Sequence, residues 1–186
     1  MNFNNIFQAR KSTMLIKLTK EELALARQQS TYRWQLTSLT KKNDDRKDTK
    51  STGEKLELIG VIAEMCFAKI FDLPLILTNG IDAGSDFTIT DKTIDCKGTD
   101  YSDRKVHIFF ENENAFKSDV AVMFARTGQE DIFRCCGWIS KKEFWNKAEK
   151  IQNGTFKVHE TELHHIKELW YKLKQRQLTG RIVYEY

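Results

Sequence analysis

The alternation of polar and apolar residues is most regular in two short neighbouring segments. Residues 85–90 read Ser-Asp-Phe-Thr-Ile-Thr and residues 93–98 read Thr-Ile-Asp-Cys-Lys-Gly, with Asp91-Lys92 between them. Alternating runs joined by two polar residues predict two antiparallel strands and a tight turn. A turn at these two residues pairs residue 86 with residue 97.

This register decides which side chains share a face. Because strand side chains alternate between faces, the polar residues of both segments lie on one side and the apolar residues on the other. The predicted polar face carries Asp86, Thr88, Asp95 and Lys97, and the apolar face carries Phe87, Ile89, Ile94 and Cys96. Asp86 and Lys97 would lie directly opposite each other, with their Cβ atoms about 5 Å apart.

A long apolar segment precedes this hairpin. Residues 55–71 are mostly apolar and free of proline, which predicts a helix packed on the sheet. Glu64 interrupts the segment, and the small residues Gly60 and Ala68 leave space on the same helix face. An unpartnered charge there would cost several kcal/mol. A bound divalent cation would remove that penalty.

The N-terminal part of the chain predicts one helix followed by a charged segment. Residues 19–22 have the spacing of a capping box, and the helix should continue to about Leu39. Residues 41–54 contain no apolar side chain, which is typical of a solvated linker or loop. Residues 72–84 connect the apolar helix to the hairpin and contain Asp82, a reserve candidate for a functional site.

The remaining elements follow from similar patterns. Residues 119–125 and 132–139 predict a second hairpin, and its first strand is nearly all apolar, as expected of a buried strand. The other predictions are a strand at 106–110, a short helix capped by Ser140 and Glu143, an amphipathic helix at 160–177 and a last strand at 181–186.

Length and composition fit one domain with an appendage. The chain has 186 residues, of which 40% are hydrophobic, and this is enough for a packed core. No stretch reaches the roughly 20 apolar residues of a transmembrane helix, and the N-terminus lacks an apolar signal core, so we expect a cytoplasmic protein without a membrane partner. The four cysteines show no C-x-x-C spacing and are expected to be small core residues.

Charge is distributed unevenly along the chain. Residues 1–54 contain 11 Lys or Arg against 6 Asp or Glu, residues 55–140 contain 9 against 14, and residues 141–186 contain 10 against 6. An acidic centre between basic ends is what a cation site flanked by phosphate-contacting surfaces would produce. Solvated Lys- and Glu-rich helices can also produce this bias by chance.

Taken in order, the three carboxylates and the lysine resemble the PD-(D/E)xK nuclease superfamily, in particular its small phage and bacterial members. The matching segments are residues 60–64 on the first core helix, 84–86 for the "PD" element, 95–97 for the "(D/E)xK" element, and 119–123 and 136–140 for two later strands. Ser85 stands where the family name has proline, and Asp95 where glutamate is commoner. The resemblance covers about residues 55–145.

The resemblance implies a restriction-endonuclease-like α/β fold, with a mixed sheet flanked by helices and extra N- and C-terminal helices. Residues 1–54 would form an N-terminal helix and charged linker. Residues 55–186 would form the nuclease domain with its C-terminal helix and strand. The implied reaction is metal-dependent hydrolysis of DNA phosphodiester bonds. Self-association into a homo-oligomer is left open.

The residue types suit that chemistry. Mg²⁺ prefers oxygen ligands and keeps several of its waters, so Asp86, Asp95 and the backbone carbonyl of Cys96 would make an open site for Mg²⁺ or Mn²⁺. A cation there stabilises charge on a phosphate and lowers the pKa of a bound water. Lys97 would position or activate the water, and Glu64 would support the metal or the water.

Two other classes of function stay open on the sequence. The chain could be a nucleic-acid-binding or assembly module that keeps the fold without activity, or an accessory protein that needs a partner chain. Taken singly, Asp86 and Lys97 could be an ordinary cross-strand ion pair, worth at most about 1 kcal/mol, and Glu64 could point outward. The presence of all four residue types favours the enzyme.

Overall fold

The computed structural model describes residues 13–40, 53–74, 85–101 and 106–182. In chain order the elements are β1 (Met14–Lys17), α1 (Lys20–Thr40), α2 (Gly53–Phe71), β2 (Phe87–Ile89), β3 (Lys92–Thr99), β4 (His107–Phe110), β5 (Val120–Arg126), β6 (Ile132–Ser140), α3 (Lys141–Lys147), β7 (Glu149–Lys150), β8 (Phe156–His159) and α4 (Ile166–Ile182). Residues 41–52 of the predicted linker lie outside the described residues, and residues 53–54 belong to α2. Asp82 also lies outside the described residues.

The predicted helices α1, α2 and α3 are confirmed, and two of them begin at the capping boxes seen in the sequence. At the start of α1, the N–H of Glu22 donates to Thr19 Oγ1 (3.1 Å) and the N–H of Thr19 donates to Glu22 Oε2 (2.6 Å). Ser140 and Glu143 make the same reciprocal pair at the start of α3. These bonds satisfy backbone donors that an uncapped helix leaves without partners.

A mixed five-stranded sheet forms the centre of the molecule, and the α/β class is confirmed. The strand order is β1-β6-β5-β3-β2, in which β3 and β5 run parallel and the other neighbours run antiparallel. The central strand β5 is buried along its length up to Arg126. Its continuous apolar sequence is explained by cover on both faces of the sheet.

The two faces of the sheet are covered by different layers. On the first face, Val120, Val122 and Phe124 pack with residues of α1, α2 and α4. On the second face, Ala121 and Met123 pack with residues of α3 and of a small three-stranded sheet, β4-β8-β7. The side chains of β5 alternate between these two cores, as strand geometry requires. The side chains of the neighbouring strand β3 therefore also alternate between the two faces of the sheet.

The predicted helix at 160–177 was wrong in its first part. A 3₁₀ turn spans Glu160–Glu162, and the chain then pairs with β6 before α4 begins. The N–H of Trp138 donates to the carbonyl of His164 (3.0 Å), and the N–H of His164 donates to the backbone carbonyl of Trp138 (2.8 Å). Gly137 permits this approach, because a Cβ on it would collide with the His164 carbonyl.

Other elements differ from the sequence predictions at the ends of the chain and in the second sheet. α4 continues to Ile182, so the predicted strand at 181–186 was wrong at its first two residues, and the rest lies outside the described residues. The strands β1, β7 and β8 were not predicted. They have two to four residues each, too few for a periodic signal. In the described part of the chain, no helix combines the length and apolar composition needed to cross a membrane.

Candidate active site

The hairpin β2–β3 forms, but its register differs from the predicted one by two residues. Phe87 pairs with Ile94 and Ile89 pairs with Lys92, so the turn lies at residues 90–91. Thr90 takes the positive φ of 57° that this tight turn needs. The predicted turn at residues 91–92 was therefore wrong.

Asp119, immediately before β5, explains why the turn moved. Its carboxylate accepts from the N–H of Thr93 (3.0 Å) and from Lys92 Nζ (3.2 Å). Both residues are thereby held in the strand rather than in the turn. The predicted pairing of Asp86 with Lys97 is lost in the new register, because Asp86 lies before β2 and its N–H bonds to the carbonyl of Ile94. Because the shift is an even number of residues, Thr88 of β2 still shares a face with Asp95 and Lys97 of β3.

Asp86 lies one residue before β2 and extends the pairing of that strand. Its N–H donates to the carbonyl of Ile94 (2.8 Å), and its Oδ2 accepts from the N–H of Cys96 (2.6 Å). The strand β2 has only three residues, so it does not reach far enough to pair with this N–H. The carboxylate of Asp86 therefore replaces a missing strand at the open edge of β3.

Asp95 and Lys97 form an ion pair on the second face of the sheet. Lys97 Nζ lies 2.9 Å from Asp95 Oδ2, with the Asp95 side chain 12% exposed and the Lys97 side chain 40% exposed. The parallel register sets Asp95 beside Ala121 and Lys97 beside Met123. Lys97 also lies over the ring of Phe110, with Nζ 5.3 Å from its centroid. The buried carboxylate of Asp95 thus holds the partly exposed ammonium group of Lys97 in place.

Glu64 lies on α2 and is held by a residue outside the predicted site. Arg33 of α1 binds it through two parallel contacts, Nη1 to Oε1 (2.5 Å) and Nη2 to Oε2 (2.7 Å). Both side chains are less than one-fifth exposed. This bidentate geometry fixes the plane of the Glu64 carboxylate as well as its position. The apolar setting of Glu64 is compensated by an arginine.

A signal for Arg33 is present in the sequence. Leu23, Ala26 and Ser30 are buried on the inner side of α1. Arg33 continues their spacing of three and four residues, so it belongs to the inward stripe of that helix. A cation in an inward stripe needs a buried anion, and Glu64 is the acidic residue inside the apolar run 58–68 of α2. The two could have been paired from the sequence on this ground.

The charges of this region act on two neighbouring groups. Burial raises the pKa of the Cys96 thiol, and the charges of Asp86, Glu64 and Asp95 raise it further. The hydrogen bonds to Glu64 raise the pKa of the Arg33 guanidinium against the opposing effect of burial, and the charges of Glu64 and Asp86 contribute to the rise. Asp86, whose carboxylate accepts from the Cys96 N–H, makes the largest of these charge contributions.

A hard cation fits the chemistry of this donor set. Among the described residues, no group of three or more His, Cys, Asp or Glu side chains is arranged to hold a metal ion. Mg²⁺ does not require such a group, because it is usually held by one or two carboxylates together with waters and substrate phosphates. Asp86, Asp95 and the carbonyl of Cys96 supply oxygen ligands of that kind. Glu64 is already neutralised by Arg33.

Comparisons of the chain with protein-family models, with curated proteins and with solved structures found no match.

Proposed function

We propose that this protein is a Mg²⁺- or Mn²⁺-dependent nuclease that hydrolyses DNA phosphodiester bonds on a restriction-endonuclease-like core. The observation that carries the proposal is that Asp86, which accepts from the N–H of Cys96 (2.6 Å), and Asp95, which holds Lys97 at 2.9 Å, both adjoin Cys96. Asp86 and Asp95 both adjoin Cys96, and carboxylates that lie close together repel one another unless positive charge lies nearby. Arg33 supplies part of that positive charge.

The roles proposed for the residues follow from their contacts. Asp86, Asp95 and the Cys96 carbonyl would hold the cation, whose chemistry is to neutralise the scissile phosphate and to activate a water. Lys97 would donate to the same phosphate and stabilise the negative charge that develops in the transition state. Asp95 orients Lys97 through their 2.9 Å contact. Glu64, fixed by Arg33, would accept a hydrogen bond from the attacking water.

Cleavage assays with two lysine variants test the catalytic assignment. Lys97→Ala should retain binding of duplex DNA and metal but lower the rate of hydrolysis by about 10²-fold or more, the scale for losing a positioned electrostatic or acid–base group. Lys92→Ala is the matched control, because Lys92 also lies on β3 and also contacts an aspartate, Asp119, at 3.2 Å. The assay follows linear, nicked, branched and single-stranded DNA with Mg²⁺ or Mn²⁺, against EDTA.

The results separate the enzyme from the inactive alternative. A binding or assembly module would retain DNA with an affinity that falls as salt rises, but it would show no cleavage that EDTA abolishes. If Lys97→Ala and Lys92→Ala cleave at the wild-type rate, Lys97 is an ordinary ion-pair partner of Asp95. The catalytic assignment then fails at its most specific residue.

Metal binding can be measured without activity. A cation that binds only the folded protein raises the melting temperature by mass action. Mg²⁺ or Mn²⁺ should therefore raise the Tm of the wild-type protein, and Asp86→Asn should abolish the rise. An equal rise in Asp86→Asn would mean that the metal is bound elsewhere. Circular dichroism of the variant checks that its fold is intact.

A further inference from the structure

A cleft of about 360 Å³ opens beside Lys97, between the end of β3 and the start of β4. Its lining includes Lys97, Thr99, Tyr101, His107, Phe109 and Met123. The volume lies at the lower end of the roughly 300–1,000 Å³ found for small-ligand pockets. The cleft combines a cation at one end with aromatic rings along its wall.

The aromatic residues of this cleft are unusually exposed. Tyr101 is 52% exposed and Phe109 is 48% exposed, whereas Ile108 and Phe110 on either side of Phe109 are almost fully buried. Strand geometry accounts for the difference, because β4 directs alternate side chains to opposite faces. The ring of His107 lies on the same face as Phe109, with its centroid 5.7 Å away.

The position of Phe109 in a paired strand makes it a fixed surface. β4 is hydrogen-bonded to β8, where Phe109 lies opposite Lys157 and His107 lies opposite His159. A ring held on a sheet loses little conformational freedom when a flat ligand stacks on it. Nucleobases stack on exposed aromatic side chains in this way, and a neighbouring lysine suits the phosphate of the same nucleotide.

We propose that the cleft binds one unpaired nucleotide of the substrate strand, with its base against Tyr101 and Phe109 and its phosphate toward Lys97. This inference rests on the proposed nuclease function and specifies its substrate class. A base inside a duplex is covered on both sides by its neighbours and cannot reach the aromatic wall. The protein therefore prefers DNA with a single-stranded or displaced nucleotide to continuous duplex.

Fluorescence anisotropy with a labelled oligothymidylate and a blunt duplex of equal length tests the preference, with EDTA present to prevent cleavage. Tyr101→Ala and Phe109→Ala should each weaken single-strand binding by about 5- to 150-fold, the range for losing one base–aromatic contact, and should leave duplex binding unchanged. Tyr171→Ala is the control, because Tyr171 is an aromatic residue of similar exposure, 59%, on α4. It should bind as wild type.

Photo-crosslinking gives a second readout that does not depend on affinity. A single-stranded oligonucleotide carrying 5-iodo-deoxyuridine should crosslink to Tyr101, His107 or Phe109, as mapped by mass spectrometry. Crosslinks confined to other regions, or equal binding of single-stranded and duplex DNA by the wild-type protein, would overturn the proposal. So would wild-type affinity in both alanine variants.

The two proposals fail in distinguishable ways. If the alanine variants lose single-strand binding but the wild-type protein shows no metal-dependent cleavage, the cleft is a nucleotide site and the nuclease function is wrong. If the wild-type protein cleaves DNA and both variants bind and cleave single strands as wild type does, the nuclease function stands and the nucleotide site is wrong.

Discussion

Replacing Arg33 by methionine should destabilise the protein by leaving Glu64 charged and partly buried without its partner. Methionine keeps most of the length and apolar volume of the arginine stem, so the change removes mainly the guanidinium. In the wild-type protein that group makes two contacts of 2.5 and 2.7 Å to Glu64. The effect should therefore report on the ion pair rather than on packing.

The burial of the pair sets the size of the effect. Removing one partner of a buried ion pair costs about 3–5 kcal/mol, and the side chains of Arg33 and Glu64 are 19% and 17% exposed. We therefore expect a loss of about 3 kcal/mol in the free energy of unfolding. For a chain of this size, that loss corresponds to a fall in Tm of roughly 6–12 °C.

A second arginine of the same helix provides the control. Arg27 lies 2.5 Å from Glu130, but these side chains are 58% and 72% exposed. Arg27→Met should cost at most about 1 kcal/mol, because water screens an exposed pair. Urea denaturation of both variants, followed by circular dichroism, measures the two losses at equal temperature and salt.

A double variant separates the unpaired charge from other effects. Adding Glu64→Gln to Arg33→Met removes the unpaired charge, so the double variant should recover part of the lost stability. Equal losses for Arg33→Met and Arg27→Met would refute the reasoning, since the shortest contact is 2.5 Å in both pairs and the Arg33 pair is the more buried and the bidentate one. A double variant less stable than Arg33→Met would refute it as well.

Two further predictions follow from local geometry and from charge. Gly98→Ala should destabilise the protein by about 1–3 kcal/mol, because its Cβ would lie 2.5 Å from the carbonyl oxygen of Ile59 and force β3 away from α2. Burial raises the pKa of Glu143, but the hydrogen bond from Ser140 and the contact with His164 outweigh it and lower the pKa from its usual 4.5 to about 2. The stability that Glu143 contributes is therefore present above pH 4.5 and is lost as the pH falls toward 2, as acid titration of the Tm would show.

Each of these predictions has its own check. Gly60→Ala, in the interior of α2 with nothing within 4 Å of the added Cβ, should stabilise the protein by up to about 1 kcal/mol. A loss of stability as large as that of Gly98→Ala would contradict the steric explanation. The Tm of Glu143→Gln should not show the fall between pH 4.5 and 2 that is due to Glu143. In Ser140→Ala the pKa of Glu143 should be less depressed, so this fall in Tm should begin at higher pH. Titration curves that match the wild type would exclude Glu143 as its source.

Local features of the sequence were sufficient for the elements and for the faces of the hairpin. The capping boxes at Thr19 and Ser140, the apolar periodicity of α2 and the continuous apolar run of β5 depend on residues within a few positions of one another. The shared face of Thr88, Asp95 and Lys97 also followed from alternation alone, because strand parity survives a shift of two residues.

Tertiary structure decided what depends on residues that are distant in sequence. The hairpin turn moved because Asp119, 26 residues beyond Thr93, binds the start of β3. Glu64 found its partner 31 residues away in Arg33. The last helix begins late because His164 pairs with Trp138 on β6. Such contacts leave no periodic pattern in the chain, since their energy comes from surfaces that meet only after the layers have packed.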